Sequence, residues 1–339
     1  MKALKQSRAA SFTAVTLVYV LATAIGIAVY RALPLSWWLS LLIADAAATV
    51  VTFAFRASLI TQRAASGEKI FRQSKQKTAR IVDPIRRFFV TNDGKDSVDS
   101  LCGEFLEMPF SLIFGNASVY DPYWSVQPPV ILLAFAWGRE LTVLGILLLV
   151  TVCYWAIRLT ANWAYTFGNL THQDWRYTML HEKTGIFYPI INFVGIHMVP
   201  TLVVYGCILP AVYALREGLT ANMGSILFLC LSVGAATLQG IADIQMHRYR
   251  KNRATPFIRV GLWKYSRHPN YLGEILMWWG VGLSVVCAVP HGWFLLAGAV
   301  ANTVLFLAVS IPMADGRQSR KEDFAEYKRQ TRMLLPIKK

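Results

Sequence analysis

Charged side chains are scarce in this chain of 339 residues, 16% of the total against 55% hydrophobic residues. A soluble domain carries about a quarter charged residues, so that class is excluded; long runs almost free of ionisable groups mark a protein that crosses a membrane many times. Cysteine is sparse too. Cys102, Cys153, Cys207, Cys230 and Cys287 stand singly, without CxxC or Cys/His ligand spacing, so neither a disulfide framework nor a metal site is expected. No GxSxG, HExxH or P-loop occurs, and Gly280-Val281-Gly282 lies inside an apolar run where close packing explains it better than a dinucleotide turn.

What is present is a strong positive excess, 34 Lys and Arg against 19 Asp and Glu, and its distribution decides its meaning. Lys2, Lys5 and Arg8 precede the first apolar run; nine cations lie between Arg63 and Lys95, seven between Arg248 and Arg267, and eight between Arg317 and Lys339. Links such as Asp121 to Pro129 and Arg216 to Thr220 are nearly neutral. This segregation follows the positive-inside pattern, which sets both termini and the basic loops on the cytoplasmic side of a bacterial inner membrane or endoplasmic reticulum and makes nucleic acid the weaker explanation.

The apolar runs are rich in Leu, Ala and Val rather than alternating, which selects helices over a barrel. The expected fold is all-α, a polytopic bundle of about eight transmembrane helices, with seven to nine allowed: Phe12 to Tyr30, Leu35 to Phe55, Leu101 to Val119, Val130 to Ile157, Phe187 to Leu215, Met223 to Ile244, Leu272 to Val289 and Trp293 to Pro312. Glu104, Glu107 and Pro109 weaken the third and Gly138-Arg139-Glu140 interrupts the fourth; if one fails, the other has to split. The first run is read as a retained helix rather than a cleaved signal. Residues 1–60 form a two-helix hairpin, 61–100 a basic interfacial segment on the anionic leaflet, and 101–339 the main membrane domain.

Glu107 stands inside an apolar run, where a carboxyl needs a cavity or a partner; an interfacial position is the competing account. Tyr154, Arg158 and Asn162, followed by Asp174 and Arg176, mark the end of another run. An aromatic belt with snorkelling arginine accounts for the tryptophans there but not for the acid and the amide. Asp243, His247 and Arg250 recur at helical spacing, with Gln239 one turn deeper on the same face, a polar stripe suited to a charged ligand.

In K-Y-S-R-H-P-N-Y-L-G-E-I-L-M-W-W, residues 264–279, Pro269 suits the first turn of a helix and His268 its N-cap. The positive end of that helix, with Arg267, His268 and the Arg248 to Arg259 cluster, would receive an anion such as a phosphate. Asn270 and Glu274, a turn apart, would read an amide or hydroxyl deeper in.

These residues resemble the membrane-embedded steroid 5α-reductases and their bacterial relatives. The resemblance rests on G-L-W-K-Y-S-R-H-P-N-Y-L-G-E-I, the stripe from Asp243 to Arg250, and F-A-E-Y-K-R-Q-T-R-M-L-L-P near the end, and covers the chain from about Leu101 onward. It implies NADPH-dependent reduction of a conjugated C=C bond in a steroid-, sterol- or isoprenoid-like lipid, the cofactor entering from the cytoplasmic side. By resemblance Asp243, Arg250, Asn270 and Glu274 would hold NADPH with Arg158 beside it; Asn162, Asp174, Arg176, Gln239, His247, Arg267, His268, Tyr271 and Tyr327 complete the candidate cofactor surface. Glu107-Met108-Pro109 and Tyr154 would be the catalytic pair, both donating to the carbonyl oxygen as charge develops on it, Glu107 as the neutral acid. The spacing from Tyr154 to Arg158 is one residue longer than the family pattern, so Trp155 is the alternative occupant of the tyrosine position. Isoprenylcysteine carboxyl methyltransferases share the R-H-P-x-Y-x-G segment and an E-x-Y element, so S-adenosylmethionine-dependent methyl transfer is the competing activity.

Overall fold

A computed structural model describes residues 7–9, 11–13, 121–169 and 173–335. The chain divides into two compact units, Met1–Val119 with Asn169–Gln173, and Tyr120–Gly168 with Asp174–Lys339. Everything below belongs to the second. Apart from residues 7–9 and 11–13, the first two expected spans, the basic segment and the run from Leu101 to Val119 with Glu107 lie outside the described residues.

Among the described residues every regular element is helical, and the one strand-like pairing is an isolated bridge between Ser266 and Arg332. The elements are α1 (Tyr123–Ala136), α2 (Val143–Thr166), α3 (Trp175–Thr184), α4 (Val199–Glu217), α5 (Met223–Lys251), α6 (Pro269–Ala288), α7 (Ala297–Leu305), α8 (Ile311–Gln318) and α9 (Phe324–Gln330). Five helical segments are long and apolar enough to cross a membrane: Val143–Thr166, Val194–Glu217, Met223–Lys251, Pro269–Ala288 and Pro290–Gln318. They are the spans of a multi-pass membrane protein.

The single span expected from Val130 to Ile157 is corrected to two helices. Gly138 takes a left-handed conformation, φ +72°, that ends α1, and the Thr142 side chain caps α2 by accepting from the Gly145 N–H. Ser125 on the first turn of α1 then meets Thr160 near the end of α2, hydroxyl to hydroxyl at 2.9 Å, so the two run antiparallel. Asp121 consequently lies at the same end of the bundle as Arg158, not at the opposite end as a continuous span would have placed it. The run from Phe187 to Leu215 is also not one regular helix. It enters through a 3₁₀ turn at Gly185–Phe187 and a π-helix at Ile191–Met198, bracketed by Pro189 and Pro200, whose missing N–H groups disturb the ordinary ladder. A second π-helix, Phe306–Ser310, joins α7 to α8.

The helix ends sort into two layers. At one end Thr142 Oγ1 donates to the Leu219 carbonyl at 2.6 Å and Asn222 Nδ2 to that of Cys287 at 2.6 Å, tying the starts of α2 and α5 to the ends of α4 and α6. At the other end gather the late residues of α2 and α5, the first turn of α6 and the close of α8. The tightest seam is α5 against α6. A Cβ on Gly273 would lie 2.6 Å from the Ala235 carbonyl and 2.8 Å from Gln239 Cβ, and one on Gly280 would lie 2.6 Å from the Phe228 carbonyl. Small residues there let two helices meet backbone to backbone, the use expected for Gly280.

Candidate functional site

The stripe read from the sequence forms on α5, and the seam presents it to α6 and α2. Deepest is Glu274, buried, whose carboxylate accepts from Trp155 Nε1 at 2.9 Å and Gln239 Nε2 at 2.8 Å on one oxygen and from Trp278 Nε1 at 2.8 Å on the other. The two indoles meet edge to face with ring centres 4.9 Å apart. All three donors are neutral, and Gln239 reaches Glu274 because Gly273 puts no side chain between the helices.

One to two turns nearer the polar end, Arg158 on α2 pairs with Asp243 on α5 at 2.7 Å, both mostly buried, and Asn270 on α6 approaches the second Asp243 oxygen at 3.4 Å. Beyond them Asn162 Oδ1 meets His247 Nε2 at 2.7 Å, and the His247 ring lies 4.8 Å from that of Tyr165. Arg250 is exposed at the end of α5, beside exposed Arg248, Lys251 and Arg253. This column has unmet capacity: Arg158 Nε and Nη2, Gln239 Oε1 and Asn270 Oδ1 are buried and have no hydrogen-bond partner among the described residues. Buried polar atoms are rarely left so, and four around one ion pair mark a place where a ligand can complete the network.

Other candidate residues form separate groups. Arg267 and His268 do not lie open for an anion: Arg267 Nη2 binds Asp315 Oδ2 at 3.0 Å and Nη1 donates to the Thr331 carbonyl at 2.7 Å, while His268 Nε2 meets Asp315 Oδ1 at 2.9 Å. His268 does occupy the N-cap position of α6. Tyr271 stacks on His268 and packs against Phe306. The Tyr327 hydroxyl donates to the Trp263 carbonyl and its ring packs with Phe257 and Phe324. Asp174 caps α3 and holds Arg176, Nε to carboxylate, at 2.8 Å, and Tyr177 donates to Asp121 at 2.6 Å. Burial pushes the Asp121 carboxyl up to about 6 against the opposing pull of Arg176; burial also raises Asp174, but the charge and hydrogen bonds of Arg176 outweigh it and hold that carboxyl below its usual range.

Tyr154 does not face the interior. It is 40% exposed and its hydroxyl meets Thr237 Oγ1 at 2.9 Å, whereas Trp155, its neighbour, is buried beside Glu274. The alternative occupant named by the spacing is thus the side chain that lies inside. Sequence reasoning passed over Trp278, Asp315, Asn302 and the pairing of Asp121 with Tyr177. Asn302 carried a signal, a polar residue within the strongly apolar terminal run. Among the described residues no group of three or more His, Cys, Asp or Glu side chains could hold a metal ion.

The site's helices fall in a region that matches a known family. Residues 109–331 match the profile described as "Protein of unknown function (DUF1295)", and the chain belongs to that family. It is also 25% identical over 195 residues to a Schizosaccharomyces pombe protein named "Uncharacterized protein C594.04c"; the match covers 48% of this chain and 56% of that relative's length. No solved structure matches.

Proposed function

We propose that the chain is an integral membrane oxidoreductase that reduces a conjugated C=C bond in a hydrophobic steroid-, sterol- or isoprenoid-like enone at the expense of NADPH, its basic loops and both termini cytoplasmic. The observation that carries this reading is the column of unmatched polar atoms around Arg158, Gln239, Asp243 and Asn270, which runs from a cationic rim down to a carboxylate in the apolar bundle. Association of the DUF1295 family with steroid 5-alpha-reductase-like proteins supports it as well.

The residues fit a dinucleotide. Exposed Arg248, Arg250, Lys251 and Arg253 supply charge for phosphates, Arg158 and Asn270 retain unused donor and acceptor atoms, and Gln239 Oε1 and Glu274 offer acceptors for an amide. NADPH, when bound, supplies a hydride. The chain's part is to orient and to keep water out. Asp243 holds Arg158 in place, Gln239 fixes Glu274, and Trp155 and Trp278 wall the carboxylate off from solvent, so that the polar groups act in a low-dielectric setting where their dipoles count most. Of the two proton donors the resemblance implies, Glu107 is outside the described residues and Tyr154 is turned toward Thr237.

One observation favours a second reading. Trp124, Trp155 and Trp278 line one recess with Glu274, and three indoles beside a carboxylate suit a sulfonium, as S-adenosylmethionine would present. Thermal unfolding of detergent-purified protein with NADPH, NADH or S-adenosylmethionine separates the two. At a hundred times Kd a ligand contributes about 2.7 kcal/mol, several degrees of Tm. We expect NADPH to stabilise; stabilisation by the methyl donor alone would reverse the assignment.

A further inference from the structure

The backbone that leads into α6 is pinned by a segment from much later in the chain. The Arg267 N–H donates to the Arg332 carbonyl at 3.0 Å, Ser266 and Arg332 form the isolated parallel bridge, and Thr331 Oγ1 donates to the Lys264 carbonyl at 3.3 Å. Ser266, Arg267 and Thr331 are buried, so one side of this pairing belongs to the interior. The residues next to them lie outside. Tyr265 is 47%, Met333 38% and Leu335 55% exposed, and Lys264 and Arg332 are exposed among them. Neither stretch, residues 260–268 or 331–335, contains an acidic residue.

Helix length sets the depth of this surface. With 20 residues at about 1.5 Å each, α6 is about 30 Å long, the hydrocarbon thickness of a bilayer. Its first turn is level with Asp243, which Asn270 approaches, whereas α5 continues eight residues further, to Lys251. The start of α6 therefore lies at the edge of the hydrocarbon, and the end of α5 stands clear of it. Lys264 and Tyr265, just ahead of Pro269, and the segment paired with them fall in the headgroup layer. Aromatic and aliphatic side chains at that depth enter the acyl boundary, while a lysine and an arginine meet phosphate.

We propose that this paired surface is a docking site for an anionic phospholipid of the adjoining leaflet, its headgroup phosphate held by Lys264 and Arg332 and the upper part of its acyl chains against Tyr265, Met333 and Leu335. The site is prepared in advance, because the pairing fixes the backbone of both segments and little ordering remains to be done on binding. The Lys264 ammonium lies 5.9 Å from the centre of the Tyr265 ring, so charge and ring are offered together. A second copy of the chain is the poorer occupant, since this patch would set cation against cation with no acid in either stretch to relieve it.

This site is independent of the reaction, and its test needs neither cofactor nor turnover. The full chain, with p-benzoylphenylalanine in place of Tyr265, Met333 or Leu335, is reconstituted in vesicles of equal phosphatidylglycerol and phosphatidylcholine and irradiated, and the adducts are identified by mass spectrometry. Lys328, exposed on α9, is the comparison position. Lipid adducts should form at the three positions and not at Lys328, with phosphatidylglycerol favoured. Each cation near an anionic surface weighs about fivefold. With the probe at Leu335, Lys264→Gln or Arg332→Gln should therefore each cut the preference about fivefold, and the two together should bring it near one while adducts to both lipids persist. Three outcomes overturn the proposal: no lipid adduct at these positions beyond that at Lys328, adducts to a second copy of the chain instead, or a phosphatidylglycerol preference that survives the double substitution.

Discussion

Glu274 in α6 and Asp315 in α8 are both buried carboxylates, held in opposite ways. Asp315 sits between two basic side chains, Arg267 and His268, and through Arg267 ties the first turn of α6 to the backbone of Thr331. Among the described residues no cation lies within hydrogen-bonding distance of Glu274; two indoles and an amide surround it. A carboxylate clamped by basic groups is a fastening, since its partners are consumed by it. One ringed by neutral donors, next to atoms that still lack partners, retains capacity for a guest.

The largest effect that tests this contrast is on stability. Asp315→Asn leaves the Arg267 guanidinium, 7% exposed, without its counter-charge, and removing one member of a buried pair costs about 3 kcal/mol. Thermal unfolding should show it as the largest drop among these variants, with NADPH binding reduced only as far as folding is. An unchanged Tm would put Asp315 in the same class as Glu274.

A smaller loss of stability with a larger loss of binding is expected at the other site. Glu274→Gln keeps one acceptor oxygen but turns an amide donor toward a donor already there, at about 1–2 kcal/mol. Trp155→Phe, which deletes one of the three donors, costs about 1 kcal/mol, whereas exposed Tyr154→Phe stays within about 0.5 kcal/mol. The comparison is sharpened if NADPH-induced stabilisation disappears in Glu274→Gln and Trp155→Phe and persists in Tyr154→Phe. Equal stabilisation in all three would break it.

The smallest effect comes from a third carboxyl. Folded Asp121 keeps its proton to about pH 6, while the unfolded chain releases it near 3.8. Between these values the folded state binds the additional proton, so this group's contribution is greatest below about pH 4, falls as the pH rises to about 6 and is constant above. With 22% of the side chain still open to solvent, the change is about 1 kcal/mol. Asp121→Asn should flatten that part of the stability profile, and a slope that persists would assign it elsewhere.

The sequence carried the parts that depend on spacing along one helix. Gln239, Asp243 and His247 repeat at one face of α5, and Pro269 with His268 marks the start of α6; both appear in the fold as the pattern implies. What depended on partners distant in sequence was not legible. Arg267 and His268 read as a free anion site because Asp315, which engages both, lies 48 and 47 residues away. The rotation of α2 was hidden for another reason: Tyr154 and Trp155 are both aromatic in an apolar run, so no polarity contrast says which faces inward. The break in the expected fourth span was legible only as an interruption at Gly138-Arg139-Glu140, since hydropathy does not register a left-handed glycine.

Gly273 and Gly280 are seven residues apart, two turns of α6. At those two positions the helix carries no side chain, and the residue after the first, Glu274, is delivered to its amide partner because an atom is missing rather than because one is present. A single added methyl at position 273 would act as a wedge, separating two rods whose registry brings the intramembrane acid to its donor. The bundle's chemistry is thus held in alignment by subtraction, and its most sensitive lever is a position with no side chain.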